Sequence, residues 1–178
     1  MAAWTHLEHD TIIGGLPATT GSWSSISQSY DHLCIKVSAR YSAAGSAGQL
    51  HDVVYNGDTT DSDYSNTYLI ASTTTPTMGR LDGRSYAAIM PTSDFLADTF
   101  STTTIWIPHY TNSANFKQML SQSAAENNSI TNDEWALRWC ATLFHENNDA
   151  ITEISMVAGG GQDFVADSTF DLYGILGA

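Results

Sequence analysis

The chain is 178 residues long, 42% of them apolar, and carries 6 Lys or Arg against 19 Asp or Glu, a net charge of −13. One domain with a full-sized core is the simplest organisation at that length. The missing Lys/Arg footprint argues against nucleic acid and against an anionic membrane surface as partners. No stretch approaches the ~18 apolar residues of a membrane-spanning helix.

In chain order, residues 1–21 do not alternate and contain Gly14-Gly15, Pro17 and Gly21. They read as an N-terminal arm or tether ahead of a single domain over 22–178. The opening MAAWTHLEHDTIIGG has no basic region followed by an apolar run, so a signal peptide is not expected. From Trp23 onward, alternation and turn chemistry recur. Strands are expected at 32–40, 49–56, 66–71, 85–90, 100–107, 116–122, 135–143, 151–157 and 169–175. Clusters such as Asn56-Gly57, Thr73 to Gly83 and Gly159-Gly160-Gly161 separate them.

The clearest strand is 32–40. Leu33, Ile35, Val37 and Ala39 fall on a core side, and His32, Cys34, Lys36, Ser38 and Arg40 on the other. Over 135–143, Trp135, Leu137, Trp139, Ala141 and Leu143 share a face, with Trp135 and Trp139 expected in the core. Arg138, Cys140, Thr142 and Phe144 take the opposite face. In 113–125, Phe116, Met119 and Leu120 also fit a short helix. Eight or nine short antiparallel strands of this kind predict an all-β fold, a jelly-roll-like β-sandwich with an extended N-terminal arm.

Little in the sequence carries chemistry. Asp58, Asp61 and Asp63 gather in one loop, but the order of a calcium-binding EF-hand and its closing Glu are absent, so an Asx-rich surface turn is the expectation. His6 and His9, or His51 and His109, lack H-x-x-x-H or H-E-x-x-H spacing and are expected to be solvated or core-edge side chains, not metal ligands. No G-x-S-x-G elbow occurs, and Asp133-Glu134 are adjacent and so diverge on a strand. Neither an enzyme nor a cofactor is expected. Cys34 and Cys140 stand outside any C-x-x-C pattern and are expected as free thiols of a reducing compartment, a disulfide between them being the alternative.

Four blocks stand in order: Ser25 to Arg40 (SISQSYDHLCIKVSAR); Val54-Tyr-Asn-Gly-Asp58 with Tyr64-Ser65; Trp135 followed by Ala150-Ile-Thr-Glu-Ile154; and Phe164 leading to Ser168-Thr-Phe-Asp-Leu-Tyr-Gly-Ile175. Together they resemble a family of virion structural proteins of tailed bacteriophages, in which an Ile-x-x-x-Tyr-x-His-Leu lead enters an Ile-x-x-x-x-Arg strand. The chain departs from that pattern at Thr104 to Tyr110 and before Trp23. The resemblance implies a jelly-roll-like domain, commonly trimeric, on the particle surface, with no catalytic residues. The expected function is a capsid decoration (cement) protein that binds the major capsid protein on the head exterior. The alternative is a tail-associated receptor-binding or fibre-tip domain that recognises host glycan. Trp4, His6 and His9 of the arm, with His32, Lys36 and Arg40 of the first strand, are the expected interface residues.

Overall fold

The structure is a computed structural model that describes residues 3–13, 20–44, 49–71, 75–83, 85–126, 137–159 and 162–177, without the side chains of 20 and 49–51. It is an all-β sandwich of two antiparallel sheets. Among the described residues the strands are β1 (Trp4–Thr11), β2 (Thr20–Ser24), β3 (His32–Ser38), β4 (Gln49–Tyr55), β5 (Tyr64–Ala71), β6 (Thr77–Asp82), β7 (Tyr86–Met90), β8 (Thr102–Pro108), β9 (Lys117–Ala124), β10 (Leu137–Phe144), β11 (Glu153–Ala158) and β12 (Thr169–Ile175). The eight-stranded sheet runs β1-β12-β3-β8-β9-β10-β5-β6 and the four-stranded sheet β2-β11-β4-β7.

The pairing identifies the topology. β1 pairs with β12, β2 with β11, β3 with β8 and β4 with β7, as successive nested pairs. β12–β3 and β11–β4 contacts then join them into two sheets. That nesting is a jelly roll. The pair β5–β6 is inserted between β4 and β7, and β9–β10 between β8 and β11. All four inserted strands extend the larger sheet beyond β8.

Within the stretch expected as an arm or tether, the strands β1 and β2 belong to this roll. Residues 4–11 form the edge strand β1, and β2 begins at Thr20; residues 14–19 lie outside those described. The alternation of β1 is hidden by a bulge between His6 and Glu8, where the register against β12 slips by one residue. The segment 113–125 is a strand over Lys117–Ala124, not a helix, and 77–82, expected to be loop, is β6.

The core between the sheets holds Leu33, Ile35 and Val37 of β3, as expected, with Ile105, Ile107, Phe170, Leu172, Val53, Ile154 and Met156. Aromatic rings close one end: Phe144 lies between Tyr55 (centroids 5.8 Å) and Tyr64 (4.9 Å).

β10 is inverted relative to expectation. Arg138, Cys140, Thr142 and Phe144 are buried, whereas Leu137 and Trp139 face outward at 39% and 48% exposure. Trp135 lies outside the described residues. The cause is β7, the edge strand of the smaller sheet, which lies against β9 and β10. Its unpaired backbone groups need partners when buried, and side chains supply them. Ser121 Oγ donates to Ala87 O, Asn66 Nδ2 donates to Tyr86 O at 2.7 Å, and Ser123 Oγ bonds both polar groups of Ile89. Ser121 and Ser123 of β9, Thr142 of β10 and Asn66 of β5 therefore point inward, and Leu120, Trp139 and Leu69 of the same strands are left outside.

Candidate functional site: the outer face of the eight-stranded sheet

Toward the β9–β6 end, the outer face is set by cross-strand register. One row runs Gln122, Trp139, Leu69 and Met78 across β9, β10, β5 and β6. The row beside it runs Trp106, Leu120, Ala141, Thr67 and Arg80. Met78 is 80% exposed, and Leu69, Leu120, Leu137 and Trp139 are exposed as well. On the outward positions of β8, β9, β10 and β5 there is no charged side chain, and β6 adds only the Arg80–Asp82 ion pair at 2.9 Å. A groove of about 480 Å³ opens in this face, lined by His32, Trp106, Pro108, Gln118 and Leu120.

At the β1–β12 end the face is aromatic and imidazole-rich. Trp4 meets Trp106 edge-on (5.2 Å) and Tyr173 (5.9 Å), and His6 meets Tyr173 at 5.2 Å. Because of the bulge, His6 and His9, three residues apart, both reach Asp171 Oδ1, at 3.0 and 2.7 Å. In a regular strand that spacing puts two side chains on opposite faces.

The six residues expected at an interface divide. Trp4, His6, His9 and Lys36 are exposed and His32 is half-buried, all on this outer face. His32 stacks edge-on with His109 (4.6 Å) and accepts the His109 N–H at 3.1 Å. Lys36 Nζ donates to Thr104 Oγ1 at 2.8 Å. Arg40 does not belong to the face. It is 9% exposed, and its guanidinium donates to the carbonyls of Leu96 (2.8 Å), Thr99 (3.0 Å) and Phe95 (3.1 Å), clamping the loop after β7.

Cys34, expected on a solvated face, is fully buried. It is flanked in register by Tyr173 and Trp106, whose rings stand on that side with Trp4 over them. Burial pushes its thiol up from 9.0 to about 11, against a smaller opposing effect of the Lys36 charge. Cys34 and Cys140 are both free thiols, on opposite faces of the sheet and three strands apart, roughly 14 Å in strand spacings. That separation forbids a disulfide.

The acidic loop is turn chemistry. Asp58 Oδ1 accepts the Thr60 N–H at 2.8 Å, and Asp61–Asp63 forms one 3-10 turn. Among the described residues, the one group of His, Cys, Asp or Glu that brings three ligand atoms together is His6, His9 and Asp171, all within 4.8 Å. Sequence spacing hid this group, since the bulge and the third ligand 162 residues away are visible only in the fold.

No protein-family model matches this chain, and no curated protein matches it.

Proposed function

We propose that the chain is a non-enzymatic structural protein of a tailed-bacteriophage virion, most simply a decoration protein seated on the head exterior. The observation that carries this reading is the β9–β6 end of the outer face: exposed Leu69, Met78, Leu120, Leu137 and Trp139 with the Arg80–Asp82 pair as the charge, on a molecule of net charge −13. An exposed apolar patch rimmed by polar surface marks an interaction site. On so acidic a chain it is also the surface that another protein approaches with least repulsion. The jelly-roll topology supports the same reading, because that architecture recurs in capsid and lectin domains, although fold alone does not assign function.

The blocks behind the family resemblance also belong together physically. Asn56 Oδ1 accepts the N–H groups of Thr152 (2.8 Å) and Glu153 (3.1 Å), and Asn56 Nδ2 donates to Ala150 O at 3.0 Å. β3 and β12, from the first and last blocks, are neighbours along their full length.

The groove beside Trp106 favours a second reading, a tail-associated module that stacks a sugar ring of host glycan. Copy number in purified particles separates the two. Gel densitometry giving on the order of hundreds of copies, as symmetric decoration of a shell requires, supports the head reading; a few to tens supports the tail. Absence from particles overturns both. Trp139→Glu with Leu120→Glu, on exposed positions, should leave the fold intact and remove the protein from heads. Normal retention of that variant would exclude this face as the docking surface.

A further inference from the structure

We propose that His6, His9 and Asp171 form a binding site for a divalent transition ion of the zinc class, which staples the edge strand β1 to β12. Three features make it more than a chance cluster. The β1 bulge turns both imidazoles to one face, and bulges commonly re-aim side chains toward a site. His9 Nδ1 and His6 Nε2 already stand 2.7 and 3.0 Å from Asp171 Oδ1. A tetrahedral ion with bonds near 2.0–2.1 Å separates its ligands by roughly 3.3 Å; all three ligand atoms already lie within 4.8 Å of one another, so adjustments of at most about 1.5 Å between them suffice. Third, outer partners hold the ligands. Thr11 Oγ1 lies 2.7 Å from His9 Nε2 and can accept its N–H while Nδ1 binds metal, which fixes the tautomer. The Tyr173 ring supports the His6 imidazole edge-on at 5.2 Å.

The donor set selects the ion. Two imidazoles with one carboxylate suit zinc, nickel or copper, whereas calcium and magnesium demand oxygen ligands. Lys36, which faces Asp171 in the register, directs its ammonium to Thr104, and Asp171 Oδ1 lies within hydrogen-bond distance of both imidazoles. The acidic chain adds a favourable field for a cation. Three protein ligands leave a position open for water or for a group on a neighbouring molecule. β1 is an edge strand of the sheet, so a metal across its bulge would add a second tie between it and β12.

The test uses the full, tag-free chain after chelator treatment, titrated with zinc chloride by calorimetry and with cobalt chloride by visible absorption. The expected result is one equivalent bound, and a Tm rise of about 5–10 °C at 100-fold excess over Kd. Magnesium and calcium should give neither. His9→Ala and the isosteric Asp171→Asn should each weaken zinc binding more than 10-fold, Thr11→Val about 10-fold or more, and His109→Ala should leave it unchanged. No zinc heat and no Tm change at millimolar zinc would overturn the site. So would equal binding by wild type and Asp171→Asn.

Discussion

Ser123 Oγ donates to the carbonyl of Ile89 at 2.9 Å and accepts the Ile89 N–H at 3.2 Å, so one hydroxyl on β9 replaces a missing neighbour strand for β7. Its second acceptor position takes the hydroxyl proton of Thr103 at 2.9 Å, which completes the bonding capacity of the group. Removing it leaves two buried backbone groups of Ile89 unpaired. Ser123→Ala is therefore expected to lose about 1–3 kcal/mol in urea unfolding. The double change with Ser121→Ala should also promote self-association through the uncovered β7 edge, measured by light scattering. An unchanged midpoint for both variants would show that water satisfies β7 without the serines.

Arg40 carries a second prediction. Its fork donates to Leu96, Thr99 and Phe95 carbonyls at once, tying 95–99 to the end of β3. Lysine can supply the charge but not the fork. Arg40→Lys should thus be destabilised by about 2–3 kcal/mol, as when hydrogen bonds to a charged group are lost. Limited proteolysis of that variant should cut first near the exposed Leu96. First cleavage elsewhere would argue that the loop does not depend on the clamp.

The sequence made the jelly roll's inner strands readable and hid its margins, for physical reasons. β3 is covered on its core side by the other sheet, so Leu33, Ile35 and Val37 alternate cleanly. β1 is an edge strand whose bulge breaks the period at Leu7, and five of its eight residues are exposed. β6 lacks an apolar face and holds Gly79 where the Tyr68 ring leaves no room for a Cβ, so its composition mimics a turn. The inversion of β10 was illegible because hydrophobicity normally marks the inside; here β7's backbone claims the inner positions for hydroxyl and amide groups. Trp4, His6 and His9, expected at an interface, are exposed, yet their convergence with Tyr173 and Asp171 depends on chain ends joined by pairing β1 with β12.

Gly174 gives a third prediction. A Cβ there would stand 2.5–2.8 Å from three atoms of the Tyr30 ring. Gly174→Ala must displace that ring or the strand, at about 1–3 kcal/mol. Tyr30→Leu in the same chain should recover part of the loss, which a double-mutant cycle in urea measures as a coupling term. Strict additivity would mean the ring is free to move aside.

Between the ordinary thiol pKa of 9.0 and about 11, the unfolded chain has released the Cys34 proton that the folded chain keeps. The folded state then binds more protons, so stability falls as pH rises through that window and is fully present below it. Burial also pushes Tyr41, Tyr55 and Tyr64 upward from 10.0, which continues the fall at higher pH. Urea midpoints should be flat up to about pH 8.5 and then decline, less steeply in Cys34→Ala than in wild type. Near pH 8 the native thiol should resist a disulfide reagent, because the thiolate is the nucleophile and this one is both scarce and covered. Trp4 stands against Trp106 and Tyr173, the two rings beside Cys34. Trp4→Ala should therefore open the site and give one fast-reacting thiol, with Cys140 still protected on the inner face. A wild-type Cys34 that reacts at the rate of a free thiol would mean that β1 opens readily and that Trp4 is no lid.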